Sequence, residues 1–181
     1  MRAVIIYESM FGNTHRIAEA IGGGLGPGND VVVVPAARAA RGLLDGADLV
    51  VVGGPTHVHG MSQERTRGAA VEQAHKAGSQ VTLDADARGP GLRDWFGSLG
   101  PVDARAAAFD TRLAGPAVFT GRASKGIARL LGRHGFTLIA PPESFLVTSD
   151  NELRPGEEDR AREWGGTLAA EFALASPSST A

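Results

Sequence analysis

Ser9, Gly12, Asn13 and Thr14 fall within six residues and have the chemistry to bind an anion. The hydroxyls and the amide are donors, and Gly12 lets the backbone turn tightly around an oxygen-rich group. These residues stand between an apolar run, Ala3–Tyr7, and a segment whose apolar positions Ile17, Ile21 and Leu25 recur at helical spacing. A strand that turns directly into a helix aims the unpaired N–H groups of the first helical turn, and the positive end of the helix dipole, at one point. A phosphate fits such a point. An ordinary strand-to-helix turn with a Thr cap fits the same residues.

Two other loops carry side chains with chemical potential. Gly53 to Ser62 follows the apolar run Leu49–Val52, and its two leading glycines and Pro55 clear space and fix a turn. Gly60 permits the positive φ needed if its peptide flips toward a ligand. His57 and His59 are two apart, so an extended backbone puts both on one side. A metal would need further ligands, and the local run supplies no third His or carboxylate. Proton donation, ring stacking and a plain loop role stay open for this pair. The third loop, Phe109 to Gly115, offers Asp110, Thr111 and Arg112. Other motifs fail: Gly121 to Gly126 has Walker-like composition but Ile127 stands where a Lys is required, and the glycines of 22–28 do not satisfy G-x-G-x-x-G.

The elements that must position these loops can be read from periodicity. Short apolar runs predict strands over Ala3–Tyr7, Val31–Val34, Leu49–Val52, Ala106–Phe109 and Phe136–Ala140. Phe145–Thr148 continues or pairs with the fifth after the Pro141-Pro142 break. Helices are expected after the first strand, at Arg38–Leu44, around Leu92, Trp95, Phe96 and Leu99, and around Ile127, Leu130, Leu131 and His134. A last helix is expected from Gly156 to Ala173, with Ala161, Trp164, Leu168 and Phe172 as its inner stripe. Gly22 to Gly24 weaken the end of the first helix, and Gly26-Pro27-Gly28 stop it. Strands alternating with helices predict an α/β fold with a parallel sheet covered on both faces, with ligands beyond the carboxyl ends of the strands. Ser62–Pro90 is polar, with a weak helical stretch at Thr66–Lys76, and reads as a lid or as a surface helix and linker.

The run Ser9-Met10-Phe11-Gly12-Asn13-Thr14 resembles the phosphate-binding loop of the flavodoxin family, usually Ser/Thr-x-Thr-Gly-Asn-Thr after the first strand. Phe11 departs from it where many members carry a hydroxyl; a Met-Phe-Gly version is similar to that of quinone reductases of the same fold. The resemblance extends over residues 1–173. It implies a flavodoxin-like three-layer sandwich, with a five-stranded parallel sheet of order 2-1-3-4-5 and helices on both faces. It implies noncovalent FMN, with Ser9, Met10, Phe11, Gly12, Asn13 and Thr14 around the phosphate. Pro55, Thr56, His57, Val58, His59 and Gly60 would lie along the isoalloxazine ring. Asp110 or Thr111 would bond the ring amides, in a loop closed by Gly115. Arg112 would offset negative charge on the reduced ring, and is equally suited to a solvated ion pair. The ring-shielding Trp or Tyr typical of the family is absent from these loops, which leaves one ring face free for a substrate.

The function so implied is electron transfer, with a redox partner protein or a small quinone-like acceptor. An FMN-dependent NAD(P)H:quinone or nitro-compound reductase is the alternative, and a flavin-free interaction protein of the same fold is a third.

Composition narrows the classes. The chain has 181 residues, 43% of them hydrophobic, enough for one domain, expected over 1–174 with a disordered tail at 175–181. A net charge of −2 disfavours nonspecific nucleic-acid binding. Zero cysteines exclude thiol catalysis, disulfides and cysteine-ligated clusters, so any redox chemistry must be carried by a bound cofactor. No signal peptide is visible and no apolar run approaches the ~20 residues of a membrane span, so a cytoplasmic protein without membrane insertion is expected. The sequence leaves monomer and homo-oligomer open.

Overall fold

Val and Ile runs without a polar face belong in strands buried on both sides. The computed structural model, which describes residues 1–57, 60–75 and 82–175, bears this out. The strands are β1 (Arg2–Tyr7), β2 (Asp30–Pro35), β3 (Leu49–His57), β4 (Gly60–Met61), β5 (Arg105–Leu113), β6 (Thr137–Leu138) and β7 (Glu143–Val147). β2, β1, β3 and β5 lie side by side in that order and run parallel. β6 and β7 both pair with β5, one at its start and the other at its end. They share one edge position, split by the Pro141-Pro142 step, so the expected order 2-1-3-4-5 holds when positions are counted. β4 returns on the end of β3 as a small antiparallel hairpin, with Thr56 opposite Met61 and His57 opposite Gly60.

The helices are α1 (Asn13–Gly24), α2 (Glu64–His75), α3 (Leu92–Ser98), α4 (Ala117–Thr120), α5 (Ala123–Arg133) and α6 (Glu157–Ala175). Alternate strand residues face opposite layers, as a period of two requires. Ile5, Val51, Ala107, Phe109 and Phe145 pack with Ile17, Ile21 and Leu168 of α1 and α6. Val4, Ile6, Val50, Val52 and Ala108 pack with Trp95, Phe96, Ile127 and Leu131 of α3 and α5.

Several expectations are refined. Arg38–Leu44 is not one helix but lies across two 3-10 turns, Ala36–Arg38 and Arg41–Leu44. The glycines at the end of α1 do more than weaken it. A Cβ on Gly24 would lie 1.9 Å from the Arg162 carbonyl oxygen, and one on Gly165 would lie 2.3 Å from the Ile21 carbonyl oxygen. Glycine on both helices is therefore what lets α1 and α6 touch backbone to backbone. α6 includes Ala175, which the sequence placed in the tail, and residues 176–181 lie outside the described residues. Among the described residues no helix is long and apolar enough to cross a membrane.

Candidate functional site

β3 and β5 both run further than their apolar cores. Pro55, Thr56 and His57 extend β3, and Asp110, Thr111 and Arg112 extend β5, so polar residues decorate the carboxyl edge of the sheet. There they meet the loop between β1 and α1. The resulting cleft of about 230 Å³ is lined by Ser9, Met10, Phe11, Asn13, Thr14, Pro55, Thr56, His57, Thr111 and Arg112. Leu113, Val147, Thr148, Ser149 and Asn151 complete its wall.

Gly12 adopts φ 88° and forms the N-cap of α1 without a side chain, and the first turn of that helix holds no acid. The first-turn N–H groups of Asn13, Thr14 and His15 have no intrahelical acceptor, and no described residue accepts from them. The Gly12 N–H itself is used inside the loop, donated to Ser9 Oγ at 3.0 Å. That leaves the Ser9 hydroxyl proton for another acceptor.

Two other helices begin at the same edge, and both are capped by the chain. Ala123 N–H of α5 donates to Thr56 Oγ1 at 2.9 Å, and Ser124 N–H donates to Asp110 Oδ2 at 2.7 Å. Leu92 N–H of α3 donates to Glu8 Oε2 at 2.8 Å, while Ser62 Oγ donates to Glu8 Oε1. The protein thus commits two buried carboxylates and a hydroxyl to closing α3 and α5 and leaves α1 open. An open helix N-terminus with hydroxyl donors beside it attracts an anion.

Side chains around this point are held, not loose. Thr14 Oγ1 and Thr111 Oγ1 lie 2.7 Å apart and are buried. The pair owns two protons and its mutual bond uses one, so one O–H remains to donate to a ligand. Asn13 Nδ2 donates to the Asn151 carbonyl at 2.7 Å, tying the anion loop to the segment after β7. The Arg112 guanidinium donates to the Gly115 carbonyl at 2.9 Å and to Thr120 Oγ1 at 2.8 Å. Its Nε is buried with no acceptor among the described residues. Arg112 thus brings a positive charge to the cleft wall.

Titration behaviour follows from burial. Burial lowers the His57 pKa below 6.5, with Glu8 opposing and Arg67 reinforcing the shift. Burial also raises the Asp110 carboxyl above 3.8, against the pull of the Ser124 N–H. Behind the loop, Tyr7 stacks on His15 with ring centroids 4.5 Å apart. Its phenol is pushed up to about 12, by burial first and then by Asp84.

The structure therefore gathers most of the expected residues into one cleft. Asp110 is fully buried and does not line it; its neighbour Thr111 does. Gly12, Gly60 and Gly115 do not line the cleft; Gly12 serves as the N-cap of α1, and Gly115 contributes through its carbonyl to Arg112. Val58 and His59 lie outside the described residues. No group of three His, Asp or Glu among the described residues is placed to hold a metal. Sequence reading missed the wall from Val147 to Asn151. Its signal was the polar run Thr148 to Asn151 directly after an apolar strand, the same pattern that marked the other loops.

Comparison with known proteins bears on the fold and the family. Residues 5–98 match the family model described as flavodoxin. A flavodoxin from the domain Archaea shares 21% identity at a TM-score of 0.64, with 96% of this chain and 99% of that one covered. Flavodoxin 1 from Bacillus cereus shares 18% identity at a TM-score of 0.64, covering 98% of this chain and 100% of that one. Rubredoxin oxygen:oxidoreductase from Desulfovibrio gigas shares 17% at a TM-score of 0.57, covering 97% of this chain but 37% of that larger protein. No curated protein matches the sequence.

Proposed function

The chain belongs to the flavodoxin family, and from that premise we propose that it binds FMN noncovalently and carries electrons to or from a redox partner. The observation that carries the proposal is the open N-terminus of α1 beside two helices that the chain caps itself. The residues fit the group. N–H groups of Asn13, Thr14 and His15, with the Ser9 and Thr14 hydroxyls, would hold the phosphate. Thr56, His57 and Thr111 would border the ring, and Arg112 would balance negative charge gathered there. FMN, when bound, supplies reversible one- and two-electron chemistry that a chain without cysteine does not have. The protein's part is to bind, orient and set the local electrostatics.

The test is the visible spectrum of the purified protein followed by titration with FMN. Flavin bands, or saturable submicromolar binding, are expected. A folded protein that is colourless and ignores FMN would overturn the assignment and favour the flavin-free interaction protein.

One observation favours a second reading, an FMN-dependent quinone or nitro-compound reductase: neither Trp nor Tyr lines the cleft among the described residues, so a flat substrate would meet no shield. Steady-state NAD(P)H oxidation by the FMN-loaded protein alone, with a quinone acceptor, separates the two. The carrier is expected to show no turnover beyond free FMN.

A further inference from the structure

Charge is segregated along this chain. From Thr111 to Pro142 the chain has no Asp or Glu, although it is net negative overall. The segment runs from the cleft wall through α4 and α5 to β6. Leu113 lines the cleft and is 52% exposed, and Val118 and Phe119 on α4 are 78% and 73% exposed. These three account for most of the large apolar side chains exposed among the described residues. Arg112 binds Thr120 and so anchors α4 to the cleft wall.

α5 follows α4 in the chain after Gly121 and Arg122. Lys125, Arg129 and Arg133 recur every four residues and are all exposed, a stripe on one helix face. None of them pairs with an acid among the described residues; every ion pair there lies outside 111–142. Lys125 sits in the first turn of α5, where the helix dipole disfavours a cation, and that turn has no acid. The dipole therefore does not explain Lys125, although it suits Arg133 in the last turn.

Exposed apolar residues followed directly by a helix stripe of unpaired cations have the makings of a transient protein interface, with the charges steering approach and orientation. We propose that this face docks an acidic redox protein, with the partner's carboxylates over Lys125, Arg129 and Arg133 and its contact surface on Leu113, Val118 and Phe119. The proposal rests on the electron-carrier reading only for the partner's being a redox protein. Three cations on one helix of a net-negative chain do not form the extended basic surface that nucleic acid requires.

The full chain, isotope-labelled, is titrated with an acidic plant-type ferredoxin as probe and with basic cytochrome c as counter-probe, each at low and high salt. Ferredoxin is expected to shift amide signals of α4, α5 and the cleft rim, and to do so far less at high salt. The double variant Lys125→Glu/Arg129→Glu should weaken binding at least tenfold with a melting temperature no lower than the parent's, and Phe119→Ser should weaken it without changing the salt dependence. Preference for cytochrome c, shifts confined to other faces, or indifference to the charge reversal would overturn the proposal. So would equal or tighter binding of a short DNA duplex at this face, or self-association in sedimentation that Phe119→Ser abolishes. The titration is run with and without FMN. Shifts without FMN binding would remove only the cofactor assignment, and FMN binding without shifts would remove only the docking face.

Discussion

Thr14 Oγ1 and Thr111 Oγ1, 97 positions apart in the chain, meet at 2.7 Å and join the first turn of α1 to the end of β5. Thr14 is buried beside the cleft, and under the proposed FMN reading its hydroxyl would serve both the fold and the phosphate. Thr14→Val should lower stability by about 1–2 kcal/mol, because it leaves Thr111 without a buried partner, and should weaken FMN binding. Thr111→Val should cost similar stability but spare more of the FMN affinity, because Thr14 keeps its proton for the ligand. Denaturant melts and FMN titrations of both variants check this, and equal loss of affinity would refute the assignment of roles.

Gly12 has open space around a would-be Cβ, so its constraint is conformational alone. Gly12→Ala at φ 88° should cost about 1–2 kcal/mol through the left-handed backbone. Gly12→Asn should cost less, because Asn tolerates that region. FMN affinity should fall in the same order, read by fluorescence quenching.

Asp110 makes a prediction with a defined sign. Its folded pKa is raised above 3.8 by burial, so the folded state holds that proton more tightly than the unfolded chain. Its contribution is full at acidic pH and is lost as pH rises from 3.8 through the folded value. Asp110→Asn keeps an oxygen for the Ser124 N–H and removes the buried charge. The variant should melt higher than the parent at neutral pH and lose this component of the pH dependence. Asp110→Ala should instead melt lower, by about 1 kcal/mol or more, through the lost cap on α5.

His57 works in the other direction. Its folded pKa lies below 6.5, so between that value and 6.5 the unfolded chain binds more protons. Stability is therefore full above 6.5 and falls as pH drops through this window. His57→Phe should flatten that part of the profile while leaving the Asp110 component in place. Melting curves taken across mildly acidic pH give the comparison; an unchanged slope would contradict the burial of His57.

Much of this was legible in the residues. The β1–loop–α1 unit could be read because an unbroken apolar run meets Gly12 and a helical repeat, all local signals. The extent of β5 could not. Asp110 and Thr111 look like loop by polarity, yet they are strand, because their polar partners Ser124 and Thr14 come from helices remote in sequence. The split of the edge position into β6 and β7 was half visible in Pro141-Pro142, but both halves pair with the same β5, which only tertiary structure decides. Gly24 read as a weak helix end, whereas its reason is the Arg162 carbonyl across the α1–α6 contact. Glu8, which caps α3 from beside the anion loop, gave no signal at all.

The bare backbone contact between α1 and α6 also bears on how the molecule is made. α1 and its loop leave the ribosome well before the residues that close the cleft wall and the glycine of α6 that seats α1. Asn13 waits 138 positions for Asn151. During synthesis the glycine face of α1 and its open N-terminus stay unpaired, a non-local assembly that cannot be completed domain-piece by domain-piece. A chain stalled before β7 carries every residue of the anion loop and no finished cleft.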